Sequence, residues 1–133
     1  MSRPQANACP CGGKDYAGCC GRFIEGGQAA PAADLLMRSR YTAYVLGRED
    51  YLKATWHATT RPAEPVAQDR DTKWLGLEVR RHVPDAADGD RATVEFVARY
   101  KIGGRAHRLH EISRFVREDG RWFYVDGSFP EKT

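Results

Sequence analysis

Past residue 20 the chain has no cysteine; all four fall between Cys9 and Cys20 of a 133-residue sequence. No thiol is left elsewhere to hold a metal or a disulfide. No apolar stretch approaches the ~20 residues that a membrane helix needs. The opening Met1-Ser2-Arg3-Pro4-Gln5 has no apolar core behind it, so no signal peptide is expected. There is no long run of one charge either. The 21 Lys and Arg residues, mostly Arg, are scattered, and the formal net charge is only +3. Such a surplus is too small to argue for a nucleic-acid or membrane partner. These absences predict a cytoplasmic protein, where a reducing environment keeps clustered thiols free.

What is present is a globular composition, 41% hydrophobic and 11% aromatic. The length allows one real core, with a small appendage. Residues 1–8 read as a disordered lead-in. Then comes Cys9-Pro10-Cys11-Gly12-Gly13-Lys14-Asp15-Tyr16-Ala17-Gly18-Cys19-Cys20. Gly12 and Gly13 permit tight turns after the first pair, and the chain returns to deliver Cys19 and Cys20. Four thiolates suit tetrahedral Zn2+ and leave no open position for water, which favours a structural over a catalytic ion. Four thiolate charges and one divalent ion would bring the net charge to about +1. Successive side chains diverge, so one of Cys19 and Cys20 is expected to be the weaker ligand. A disulfide or free thiols are the competing readings.

Phe23 and Ile24 are expected to tuck against the main domain. From about Ala32 to Leu46 apolar residues recur every three or four positions. Leu36, Met37, Arg40, Tyr41, Tyr44 and Val45 mark one face of a helix. Pro31 and Gly47 bound it. A shorter helix is expected over Glu49 to Thr55, then an irregular link around Arg61–Pro65. After Asp71 the period becomes two. Four strands are predicted, about 73–83, 91–102, 106–117 and 121–126, joined at Asp88-Gly89, Gly103-Gly104 and Asp119-Gly120. The fold class is α+β: a zinc knuckle (1–24), then two helices and a curved four-stranded antiparallel sheet (25–133).

Centred on those turns, the hairpins pair Val79 with Ala98, Phe96 with Glu111, Ala98 with Leu109, Phe115 with Tyr124 and Ser113 with Asp126. Alternation then gives one apolar face carrying Leu75, Leu77, Val79, Phe96, Trp122 and Tyr124 among others. Glu111, Ser113 and Asp126 fall on the same face. A pocket between helix and sheet would be lined by Trp56, Phe96, Ser113, Phe115 and Trp122. Glu111 or Asp126 could act there as a base, with Tyr124 or His57 as partner. Arginines such as Arg38, Arg40, Arg99 and Arg114 could equally neutralise those carboxylates. The clusters Arg80-Arg81-His82 and Arg105-Ala106-His107-Arg108 alternate between faces and read as solvated strand edges.

The cysteine segment resembles the SEC-C motif, a zinc-binding motif also found at the tail of the SecA translocase motor. Downstream, Leu36-Met37-Arg38-Ser39-Arg40-Tyr41, Trp56-His57, Trp74-Leu75-Gly76-Leu77, Val94-Glu95-Phe96-Val97-Ala98-Arg99, Ser113-Arg114-Phe115 and Trp122-Phe123-Tyr124-Val125-Asp126-Gly127 resemble the bacterial YchJ (UPF0225-type) family. The resemblance runs from about Cys9 to Ser128. It implies a zinc knuckle followed by a nuclear transport factor 2-like cone, and no defined activity. Two departures stand out. The usual motif has Gly-Ser-Gly-Lys and eight residues before the cysteine pair, whereas this sequence has Gly-Gly-Lys and seven. Many relatives also carry a second knuckle, and Phe129–Thr133 holds none.

Three functional readings follow. The first is a zinc-binding accessory or adaptor protein, meeting a protein partner through Lys14, Asp15 and Tyr16 at the knuckle tip. The second is a small cone-domain enzyme or small-molecule binder using Glu111 and Asp126. The third is association with ribosomes or RNA. Partner identity and oligomeric state are not readable.

Overall fold

A computed structural model describes residues 8–67 and 71–130. The expected lead-in over residues 1–8 lies outside them, apart from Ala8. In chain order the elements are α1 (Gly21–Ile24), α2 (Ala33–Leu46), α3 (Glu49–Ala54), β1 (Thr72–Pro84), β2 (Arg91–Ile102), β3 (Arg105–Glu118) and β4 (Arg121–Ser128). The strands form one antiparallel sheet in the order β1-β2-β3-β4. The helices pack on its concave face.

The helical period of α2 becomes a buried stripe of Leu36, Met37, Arg40 and Tyr41. Its end is closed by the Gly47 N–H, which donates to the Ala43 and Tyr44 carbonyls. The next helix is short and anchored by fully buried Leu52. Arg40 ties the two helices together, donating from Nη1 to the Leu52 carbonyl (2.9 Å) and to Thr55 Oγ1 (2.6 Å). Such a short helix draws its stability from these tertiary ties rather than from propensity. Immediately after α3, the Tyr124 N–H donates to the Thr55 carbonyl and the His57 N–H to the Tyr124 carbonyl, which docks Trp56 beside β4.

Two hairpins follow from turn chemistry. Gly103 and Gly104, and then Asp119 and Gly120, all take positive φ, the backbone demanded by tight two-residue turns. Phe96 accordingly faces Glu111, Ala98 faces Leu109 and Phe115 faces Tyr124.

The register departs from simple alternation in three places, and each departure moves a side chain. Between β1 and β2 the loop covers residues 85–90, stiffened by Asp85 Oδ1 accepting from the Ala87 and Asp88 N–H groups. The register also shifts between Val79 and Arg81, so Val79 faces Phe96 rather than Ala98. A second shift, between Trp74 and Gly76, places Trp74 opposite Tyr100 and turns Leu75 outward to 52% exposure. The third lies in β4, where Tyr124 faces Phe115 but Asp126 faces Arg114, leaving Val125 as the extra residue. Gly127, not Asp126, is therefore opposite Ser113. A bulge inserts one residue and so inverts the facing of everything beyond it.

The core runs without a break from this face into the cysteine segment. Cys9, Cys11 and Cys20 are buried in the same cluster as Phe23, Leu36, Met37, Val94 and Phe115. Phe23 and Ile24 are buried as expected, within α1 rather than in a linker.

Candidate metal centre and cone pocket

The cysteine segment converges through local turns. The Gly12 N–H donates to the Cys9 carbonyl (3.0 Å), and the Cys9 N–H to the Gly13 carbonyl (3.1 Å). On the return leg, the Cys19 and Gly21 N–H groups share the Tyr16 carbonyl, at 3.0 and 2.8 Å. Asp15 Oδ2 accepts from the Gly18 N–H (3.2 Å), fixing the loop between the pairs. The shortened loop therefore still turns back on itself, and α1 begins directly after Cys20.

All four Sγ atoms lie within 4.8 Å of one another, and all four thiols are free. Cys11 Sγ and Cys19 Sγ are 3.6 Å apart. A Cβ on Gly13 would stand 2.7 Å from Cys19 Sγ, so glycine is what lets the two legs of the loop close. The adjacent cysteines, expected to diverge, both reach the cluster. Thr42 of α2 supports it from below, donating to Cys20 Sγ (3.3 Å) and lying 3.7 Å from Cys9 Sγ.

Crowding drives the Cys11, Cys19 and Cys20 pKa values apart. Cys11 is drawn down to about 5, first by its hydrogen bond with Cys20. Cys20 is pushed up mainly by that same interaction, and Cys19 is pushed up to about 11 mainly by burial. One thiolate can thus be solvated by its neighbours' S–H groups. Further ionisation puts negative charges side by side, which a bound cation would relieve. The donor set and its spacing fit a metal ion.

Not all of the knuckle tip is free. Lys14 and Asp15 are exposed, but Tyr16 is only partly so. Its hydroxyl donates to Glu25 Oε2 (2.9 Å), which also meets Arg48 Nη1 at 2.6 Å. Burial and the Glu25 carboxylate push the Tyr16 phenol up to about 12. Tyr16 serves as a brace to α1 and the α2–α3 junction.

On the other side of α2, a cavity of about 280 Å³ opens between this helix and the concave sheet. Trp56, Phe96, Ser113 and Phe115 line it, as do Glu111 and Tyr124. The remaining expected residues do not. Asp126 faces outward because of the Val125 bulge, and Arg114 grips it through Nε (2.6 Å) and Nη2 (2.8 Å). That pair holds the Asp126 carboxyl below the usual range. His57 points away from the cavity, with Nδ1 2.7 Å from Thr59 Oγ1 and Nε2 2.8 Å from Glu118 Oε2. Trp122 shares the sheet face but lies farther along, under the Arg117 guanidinium and beside Phe23 and Tyr51.

Glu111 is buried yet has no ion-pair partner among the described residues. Its Oε2 accepts from Ser113 Oγ (2.8 Å) and Tyr124 Oη (3.1 Å). Burial, followed by the Glu111 charge, raises the Tyr124 phenol. A Cβ on Gly127 would overlap Glu111 Oε2, so the bulge that expels Asp126 also admits a glycine that makes room for Glu111.

Arg40, Tyr44 and Trp74 also line the cavity and are not among the expected pocket residues. The guanidinium of Arg40 lies 5.0 Å from the Trp56 ring and 4.7 Å from the Tyr124 ring. Burial lowers its pKa. The signal was a charged residue within the apolar stripe of α2. Trp74 could be found only by knowing of the bulge at Leu75.

The domain described as "YchJ, middle NTF2-like domain" matches residues 32–127. The chain belongs to the YchJ/UPF0225 family. A UPF0225 protein of Chromobacterium violaceum is 56% identical over 131 residues, covering 95% of this chain and 96% of its own. One from Methylibium petroleiphilum is 58% identical, covering 90% and 86%. The solution structure of a SEC-C motif containing protein from Rhodopseudomonas palustris matches with TM-score 0.82 and 35% identity, over 93% of this chain and 99% of that one. A crystal structure of a SEC-C motif containing protein from Psychrobacter arcticus matches with TM-score 0.77 and 27% identity, over 95% and 84%. The sheet and helices are those of an NTF2-like domain, with the cysteine cluster added in front. No helix among the described residues is long and apolar enough to cross a membrane.

Proposed function

We propose that this family member is a zinc-binding accessory protein. Cys9, Cys11, Cys19 and Cys20 hold one structural Zn2+, and the knuckle so fixed meets a protein partner. The observation that carries the metal is the convergence of four free thiols, three of them buried, within 4.8 Å of one another. Zn–S bonds of ~2.3 Å in a tetrahedron require sulfurs roughly 3.8 Å apart. The 3.6 Å between Cys11 and Cys19 is close to that spacing, and the wider gaps need only a small contraction. An all-thiolate set also favours zinc over the harder cations. Four protein ligands leave zinc no place for substrate, so its role is to pin the N-terminal loop to α2.

The partner-facing surface is the outer rim of the loop, where Gly12, Lys14, Asp15, Ala17 and Gly18 are exposed. Tyr16 and Glu25 hold that rim rigid from behind, which lowers the ordering cost of docking. Affinity capture with the wild-type protein and with a zinc-loaded Lys14→Glu, Ala17→Arg variant tests this. The expected result is a partner retained by the wild type and lost by the variant. An identical set of proteins on both would refute the docking role and leave the metal site standing.

A further inference from the structure

We propose that the cavity between α2 and the sheet is a binding site for a small neutral molecule with an apolar body. One O–H or N–H group of that molecule would donate to Glu111. This goes beyond the zinc reading and does not depend on it. A cavity of about 280 Å³ sits at the lower end of small-molecule sites. It is walled by rings, among them Tyr41, Trp74, Phe96 and Phe115. Against that wall Glu111 is a single buried carboxylate with two hydroxyl donors on Oε2 and none from the described residues on Oε1. Oε1 is not sealed off, so a ligand N–H or O–H in the cavity can reach it and form a charge-assisted hydrogen bond. The site is also spatially prepared, since only glycine at position 127 leaves the carboxylate its room.

Charge selects the ligand further. Arg40 lines the same cavity and occupies the aromatic slot between Trp56 and Tyr124, where a ligand cation would otherwise gain most. With Arg40 positive and Glu111 negative, the lining is neutral overall. A bound ammonium would add a second positive charge to an apolar space, and a bound carboxylate would face Glu111. Either carries a desolvation cost that a neutral donor avoids.

Titration of the full chain by 1H–15N NMR with 4-methylphenol, benzylamine and benzoate tests this directly. Of the three indole N–H signals, those of Trp56 and Trp74 report the cavity and that of Trp122 does not. The expected result is a saturable shift of Trp56 and Trp74 with 4-methylphenol, at least tenfold tighter than with either charged probe. Glu111→Leu should weaken it at least tenfold, and Ala98→Leu, which fills the cavity, should abolish it. If Glu111→Leu fails to fold, Glu111→Gln should bind more weakly than the wild type. Absence of a saturable shift, equal or tighter binding of benzylamine or benzoate, or shifts centred on Trp122 would overturn the proposal. So would unchanged affinity in a folded Glu111 or Ala98 variant.

Discussion

The two polar centres lie on opposite sides of α2 and solve burial in opposite ways. In the cysteine loop, four groups able to carry like charge are brought together, a set that fits a metal ion. In the cone, one carboxylate is buried alone and is held by neutral hydroxyls from Ser113 and Tyr124. The second centre leaves one carboxylate oxygen without a donor from the described residues. Thr42 touches one and Arg40 the other, two residues apart on the same helix.

The largest expected effect separates the centres outright. Cys20→Ser removes a buried ligand and should cost at least ~3 kcal/mol, because metal-binding free energy is folding free energy in such sites. Thermal unfolding should show a clear fall in Tm, and a chelator should reproduce it in the wild type while leaving the variant unmoved. Gly127→Ala comes next. Its Cβ meets the Glu111 carboxylate, and the overpacking should cost about 1–3 kcal/mol with full metal content retained. Denaturant unfolding together with zinc analysis would check both halves of that statement.

Thr42→Val should act on the loop alone and more gently. Losing the hydroxyl beneath Cys9 and Cys20 should weaken metal affinity roughly tenfold, measured by chelator competition. Smallest of all is Asp126→Asn. Its pairing with Arg114 is more than a third exposed on both sides, so well under 1 kcal/mol is expected. The Asp126 pKa is depressed in the folded chain. The pair's contribution is therefore present above the ordinary carboxylate pKa and is lost as pH falls through the depressed one. Unfolding profiles of wild type and variant should converge at low pH. They should also converge at high salt.

The contrast also explains how much could be read in advance. The cysteine centre is built from twelve consecutive positions by short-range turns, so residue types and spacing were enough to mark out the four side chains that converge. The two longer helices, the four strands and two hairpin registers were legible for the same reason, since turn residues and periodicity are local signals. The cone pocket depends on facing across three strand pairs, and facing inverts at every bulge. Nothing local in Tyr124-Val125-Asp126-Gly127 announces that Val125 is the extra residue, yet that insertion sends Asp126 to solvent and brings Gly127 to Glu111. The bulge at Leu75 likewise hid Trp74. Trp122 was read on the right face but lies too far along it, and His57 is turned away by its hydrogen bonds to Thr59 and Glu118. Tyr16 was misread as a free tip because its partners, Glu25 and then Arg48, come from later elements.

Native mass spectrometry of protein purified under reducing conditions tests the central claim most directly. One zinc per chain is expected in the wild type and in Gly127→Ala, and none in Cys20→Ser. A folded wild-type chain at its metal-free mass, or at the mass of a disulfide-bonded form, would contradict it.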